Sequence, residues 1–138
     1  MIKQSAYFII WNSSKQNFNS IIEDIEKRVV IKEKTKIKVT KYDKFIYDIY
    51  TFNNQTDLGI YKASKMCDSD NYVIYLLEIN FLTQDINNYD MIKKIKSEIR
   101  NKYKILTKNY FHDNIIHGTD SIEEYKHIRN IISRINKY

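Results

Sequence analysis

Hydrophobic positions along the chain switch repeatedly between a continuous or two-residue period and a helical one. Ala6-Tyr7-Phe8-Ile9-Ile10-Trp11 is a short unbroken apolar run rich in aromatic and β-branched residues, which predicts a buried central strand. Asn12-Ser13-Ser14 interrupts it and offers a helix N-cap, after which Phe18, Ile21, Ile22 and Ile25 recur at helical spacing with Glu23, Asp24, Glu26, Lys27 and Arg28 on the outer face. Val29, Ile31, Ile37 and Val39 share one parity. The residues between Ile31 and Val39 are mostly charged, which predicts a half-exposed strand at or near a sheet edge.

Thr40 and Asp43 predict the start of a second helix with Tyr42, Phe45, Ile46, Ile49 and Tyr50 on its apolar face. Leu58 to Met66 reads as one or two further helical turns within a longer polar connection. Tyr72-Val73-Ile74-Tyr75-Leu76-Leu77-Glu78-Ile79 is a second strand of central character. Asn87 or Asn88 is expected to cap a helix that buries Met91, Ile92, Ile95 and Ile99 and projects Lys93, Lys94, Lys96 and Arg100 from its other side. A short run then leads to His117, and Asp120, with Glu123 three residues on, predicts a capping box for a last helix with the face Tyr125, Ile128, Ile132 and Ile135. This order of elements predicts an α/β or α+β fold. The preferred topology is a ferredoxin-like sandwich whose mostly antiparallel sheet is covered by helices, built as one domain over residues 1–138.

Composition narrows the setting. The chain has no proline and two glycines, so its loops are built from Asn, Asp and Ser. The abundance of Ile, Lys, Asn and Tyr reads as the imprint of an AT-rich genome. No apolar run reaches the roughly 20 residues needed to span a bilayer, and the N-terminus does not resemble a signal peptide. Cys67 is the single cysteine, which rules out an internal disulfide and a cysteine metal cluster and makes the reducing cytosol the expected compartment. Charge is unevenly placed. Residues 1–90 carry 12 Lys and Arg against 12 Asp and Glu, whereas residues 91–138 carry 11 against 5, which accounts for the whole net charge of +6. A positive field of this kind concentrates anionic ligands such as nucleotides, sugar phosphates or nucleic acid, and a solvated lysine face is its bland alternative.

The candidate chemistry lies inside that basic segment, at Asn114-Ile115-Ile116-His117-Gly118-Thr119-Asp120-Ser121. A histidine where a strand ends and a helix begins can meet an anion bound by the free N–H groups of the helix start. As a phosphoryl acceptor it needs a neutral imidazole, an orienting hydrogen bond and nearby cations. The competing reading is a structural histidine ahead of a helix cap. His112 with Asp113 could form a base and its orienter, or with His117 a metal pair. Those two histidines fall on opposite faces of a regular strand, His127 lies two turns along the last helix, and no metal site is expected. Trp11 could stack on a base or a sugar or could close the core. Tyr103 and Tyr110, among Lys102, Lys104 and Lys108, could bind single-stranded nucleic acid by stacking and charge.

The eight-residue stretch resembles the active-site signature of nucleoside diphosphate kinases, Asn-x-x-His-Gly-Ser-Asp-Ser, with Thr119 as the single departure. The resemblance implies a ferredoxin-like fold and His117 as the residue phosphorylated during transfer between nucleotides. It matches Asn114 to the asparagine that approaches the nucleotide and Arg100 to a phosphate-binding arginine; Thr119 and Asp120 are expected to complete the phosphate site, with Mg2+ and a nucleotide as the expected cofactor. Glu123 falls where the family has a glutamate after the motif. Trp11-Asn12-Ser13 stands where the family carries a Lys-Pro-Asp triplet, and Ile128 stands at the spacing of the glutamate that orients the histidine. A broader resemblance is to bacterial proteins of surface-polysaccharide loci, through Phe8-Ile9-Ile10-Trp11 and His117-Gly118-Thr119-Asp120 followed by Glu123 or Glu124, and it implies a sugar-phosphate or nucleotide-sugar setting. The leading expectation is a phosphotransfer or nucleotide/sugar-phosphate-binding protein. Its alternatives are a non-enzymatic module that binds nucleic acid or an acidic protein through the basic C-terminal third, and an accessory domain of polysaccharide synthesis. Open sheet edges leave room for a homo-oligomer.

Overall fold

A computed structural model of the chain describes residues 1–52, 56–67, 72–107, 110 and 114–138. Among them lie four strands, β1 (Ile2–Ile10), β2 (Ile31–Val39), β3 (Tyr72–Thr83) and β4 (Ile116–Gly118), and five α-helices, α1 (Phe18–Glu26), α2 (Tyr42–Tyr50), α3 (Thr56–Met66), α4 (Asp90–Tyr103) and α5 (Ile122–Ile132). The sheet runs β2-β3-β1-β4 with every neighbouring pair antiparallel. This is the expected ferredoxin-like α+β frame, with the pair α2–α3 inserted between β2 and β3 and α5 added after β4. β2 lies at the sheet edge and β3 inside it, as their patterns predict.

The unbroken apolar run of β1 follows from burial on both faces. Ala6, Phe8 and Ile10 point into a core with α1 and α4, through Phe18, Ile21, Ile25, Ile92 and Ile95. Tyr7, Ile9 and then Trp11 point into a second core with α2 and α5, through Phe45, Ile46, Ile49, Tyr125 and Ile128. An antiparallel strand normally keeps one wet face and alternates; here helices cover both sides, so both parities are apolar.

β4 pairs only with the end of β1, Phe8 opposite Gly118 and Ile10 opposite Ile116. The ladder continues one bond each way: the Trp11 N–H donates to the Ile115 carbonyl at 2.9 Å, and the Thr119 N–H donates to the Tyr7 carbonyl at 3.1 Å. That pinned segment fixes where the chain leaves the sheet and turns into α5, with His117 at the exit.

Several local expectations change. The Asn12 side chain does not cap a helix. Its carbonyl oxygen accepts the Val73 N–H at 2.8 Å, tying the end of β1 to β3, while Asn12–Asn17 forms a 3-10 segment before α1. Thr40 and Asp43 do not start α2 with a cap: Lys41 occupies the N-cap position without a side-chain bond. On α4, Met91 is exposed rather than buried, and Lys96 is buried rather than projecting, because the stripe Ile92, Lys96, Ile99, Tyr103 is the one turned toward the sheet. The cap of α5 sits one residue later than expected. Ser121 is the N-cap and accepts the Glu124 N–H, so Glu124 takes the place foreseen for Glu123. Trp11 is fully buried, which removes base or sugar stacking as its role.

Candidate functional site

The N-cap shift at α5 determines the chemistry around His117. With Ser121 as cap, Glu124 lies in the first helical turn facing the strand, and its carboxylate reaches back across the junction. One oxygen accepts the Asp120 N–H at 2.7 Å. The other lies 3.1 Å from Nε2 of His117. His117 and Glu124 are both buried. Burial alone pushes the Glu124 carboxyl up, but the hydrogen bond and charge of His117, the Asp120 N–H and the Lys96 charge outweigh it and hold the group below its ordinary range. Glu124 is therefore a carboxylate that can only accept, so in this hydrogen bond Nε2 of His117 is the donor and Nδ1 is the ring nitrogen left for other chemistry.

The anion at this helix start is thus supplied by the protein. Glu124 takes the Asp120 N–H and Ser121 takes the Glu124 N–H, which satisfies donors that a bound phosphate would otherwise have met. For an external anion the described lining also offers two cations. Nζ of Lys96, on α4, donates to the Gly118 carbonyl at 3.2 Å and to the Asp120 carboxylate at 2.9 Å. One of the terminal amino groups of Arg100, one turn further along α4, donates to the Ile116 carbonyl at 2.9 Å.

His117, Lys96, Arg100, Asp120 and Glu124 line one side of a cavity of about 270 Å3. Its other side is Ile49, Tyr50, Phe52 and Leu58, from the end of α2 to the start of α3. The Tyr50 ring stands 5.0 Å from the His117 ring, nearly edge-on, and stacks at 6.0 Å on Trp11 behind it. Nζ of Lys62, on α3, lies 5.5 Å from the Tyr50 ring. The cavity therefore has a charged wall from the sheet and α4 and, from the inserted helix pair, a mostly apolar wall with Lys62 set against its Tyr50.

Of the residues singled out in the sequence, His117, Arg100 and Asp120 meet in this cavity. Thr119 and Asn114 are buried but are not among its lining residues. The Thr119 hydroxyl accepts the Tyr7 N–H at 3.2 Å, so it serves the sheet. His127 donates to the Asp48 carbonyl at 2.8 Å and joins α5 to α2. His112, Asp113 and Lys108 lie outside the described residues. Among the described residues no three His, Cys, Asp or Glu side chains gather to hold a metal ion, and no helix is long and apolar enough to cross a membrane. Sequence reasoning named Lys96 only as one of three projecting lysines that could supply positive field and Glu124 only as an alternative to Glu123, and it missed their direct places beside His117 and the α2–α3 wall. Ser121-x-x-Glu124 is itself a capping-box spacing, and Lys96 sits four residues after Ile92 on the core stripe, so both signals were present.

Gly118 is required by Lys96. A Cβ at Gly118 would stand 2.9 Å from the Lys96 stem, 2.9 Å from Ile92 and 3.0 Å from the Phe8 ring. The lysine stem can yield, but Ile92 and Phe8 are set in the core. Gly118→Ala is expected to lower stability by roughly 1–3 kcal/mol, as overpacking does. Urea unfolding checks it, and an unchanged midpoint would show that the strand shifts freely.

Neither a protein-family model nor a curated protein matches the sequence. Solved structures do. The nucleoside diphosphate kinase of Aquifex aeolicus is similar over 95% of both chains, at a TM-score of 0.62 and 14% identity. A nucleoside-diphosphate kinase from Borrelia burgdorferi, described as a transition state mimic with bound vanadate and ADP, is similar over 95% of this chain and 87% of that one, at a TM-score of 0.57 and 11% identity. At these identities the likeness establishes that the chain has the fold of nucleoside diphosphate kinases.

Proposed function

We propose that this protein is a phosphotransfer protein acting on nucleotides or sugar phosphates, with His117 as the residue that carries the phosphoryl group. The observation behind the reading is the chain from the Asp120 N–H through Glu124 to Nε2 of His117, set in a cavity that also holds Lys96 and Arg100. Nδ1 attacks the terminal phosphorus, an N–P bond forms, and the P–O bond to the leaving phosphate breaks with its electron pair going to that oxygen. An acceptor oxygen then attacks the same phosphorus, the N–P bond breaks, and Nδ1 regains its lone pair. Glu124 stabilises the positive charge that the ring acquires in between, and Arg100 and Lys96 offset the charge on the phosphates.

The fold supports this reading, since a structural neighbour is described with ADP and vanadate in a transition-state mimic. Mg2+ fits as a companion of the nucleotide. The carboxylates of the described cavity lining are Asp120 and Glu124, and Glu124 is committed to His117. The ion would be held by the phosphates and by Asp120, where it neutralises phosphate charge. Lys96 supplies a cation to the cavity, and Trp11-Asn12-Ser13 at the end of β1 supplies none.

The test is incubation with γ-labelled ATP and Mg2+, comparing the wild type with His117→Ala. Acid-labile, base-stable label on the wild type alone is the expected result. No label on either sinks the reading and leaves binding without transfer, including nucleic acid held by the exposed Lys93 and Lys94.

A further inference from the structure

Lys96 is an unusual tenant of a core stripe. Its side chain is 10% exposed, and its stem crosses β4 over Gly118, where a Cβ would collide with it. Burying a lysine stem in that way delivers the ammonium to one place, the mouth of the His117 cavity. Of its two partners there, the Gly118 carbonyl is fixed by the sheet and carries no net charge. The Asp120 carboxylate, at 2.9 Å, is different: its side chain is 50% exposed and sits on the last residue before the α5 cap, free to rotate into solvent. A half-exposed carboxylate holds a cation weakly. It also stands where an incoming phosphoryl oxygen would seek the same ammonium.

We infer that Lys96 and Asp120 form an anion latch, in which Asp120 is a placeholder that a phosphate or diphosphate group displaces from Lys96. The inference rests on the phosphotransfer reading of the cavity and names the group that receives the ligand's charge. Among the described lining residues Lys96 and Arg100 share the cavity with Asp120 and Glu124, so two cations stand with two carboxylates at rest. When a diphosphate enters, Asp120 swings off Lys96 toward the mouth of the cavity, where a nucleotide's ion would meet it, and Lys96 keeps its bond to the Gly118 carbonyl while taking up a phosphoryl oxygen. A group with two or more negative charges outcompetes one carboxylate, whereas a singly charged anion has no such advantage. The latch therefore selects phosphate chemistry over monovalent anions without a dedicated phosphate loop. It also gives the basic segment a role confined to one buried ammonium.

The experiment is calorimetric titration of the full chain with inorganic pyrophosphate, with chloride as the background anion. Asp120→Asn keeps a hydrogen-bond acceptor for Lys96 but removes the competing charge, and it is expected to tighten pyrophosphate binding about tenfold. Lys96→Gln, whose amide can still donate to the Gly118 carbonyl, is expected to weaken it about tenfold. In a Lys96→Gln background the gain from Asp120→Asn should shrink to less than about threefold, because there is no ammonium left to release. Lys96→Arg, with far-ultraviolet circular dichroism on every variant, guards against a folding defect at this buried position. Unchanged or weaker binding in Asp120→Asn, a full gain that survives in the double variant, or no binding in any variant each overturns the latch. Pyrophosphate binding needs no phosphohistidine. Label on His117 without the Asp120→Asn gain removes the latch alone, and the gain without label removes phosphotransfer alone.

Discussion

His117→Ala is expected to reduce acid-labile labelling by at least about a thousandfold, since the atom that forms the N–P bond is gone. The fold should survive with a measurable defect. The substitution removes the donor to one oxygen of a buried carboxylate, and an unsatisfied buried acceptor costs about 1–3 kcal/mol. The defect should depend on pH in a definite sense. In the wild type Glu124 is depressed from its ordinary value of 4.5; burial opposes the shift, and His117, the Asp120 N–H and Lys96 cause it. A depressed carboxyl contributes stability that is present above 4.5 and disappears as pH falls through the lower folded value. Without His117 the burial penalty meets less opposition and that contribution shrinks. Urea midpoints of mutant and wild type should therefore differ most near neutrality and converge in acid. A constant gap at every pH would mean that His117 and Glu124 are not electrostatically coupled. Glu124→Gln separates orientation from nucleophilicity. Its amide oxygen can still accept the Asp120 N–H, but its NH2 then faces Nε2, which must accept and sends the ring proton to Nδ1; with the Nδ1 lone pair lost and no carboxylate to stabilise a phosphorylated ring, labelling should fall about a hundredfold while His117 stays in place.

The fold was legible wherever one side chain per turn or per pleat decides burial. The run through Phe8-Ile9-Ile10, the Phe18–Ile25 stripe, the Tyr42–Tyr50 face and the Tyr72–Ile79 strand all form the elements they predict. What sequence could not supply was phase at the helix starts and the inward course of long side chains. Asp120 and Ser121 are both good caps, and Glu123 and Glu124 both good partners. The tertiary position of β4 selects Ser121 with Glu124, because only then can a carboxylate reach His117. Lys96 was assigned to the outer face by its charge, although its spacing from Ile92 and Ile99 placed it on the buried stripe. A lysine reaches such a position when a glycine beneath clears its stem and polar groups meet its ammonium. The α2–α3 wall was not legible at all, since nothing local says that Ile49, Phe52 and Leu58 will stand opposite a histidine more than fifty residues later.

Trp11→Ala is expected to be the most destabilising single change at a position outside the cavity. The indole is fully buried, with Tyr42 and Phe45 each 6.1 Å away edge-on and Tyr50 stacked at 6.0 Å. The backbone there is pinned to Ile115, so the site cannot close by moving the chain. Emptying such a site costs roughly 3–5 kcal/mol, a large part of the roughly 5–15 kcal/mol that stabilises a domain. The melting temperature should drop by roughly 10–20 °C. Trp11→Phe should behave differently. Among the described residues the buried indole N–H has no hydrogen-bond partner, so phenylalanine gives up volume but also removes a desolvated donor worth about 1–3 kcal/mol. The two effects oppose, and the phenylalanine variant should melt within about 5 °C of the wild type. Function separates the variants further. Tyr50 stacks on the indole and meets the His117 ring nearly edge-on, so an empty site lets Tyr50 shift and frees the imidazole to tilt. Labelling at a temperature where both variants are folded should be near normal in Trp11→Phe and clearly reduced in Trp11→Ala. Equal labelling would mean that Glu124 alone orients His117, and that the aromatic row serves only the core.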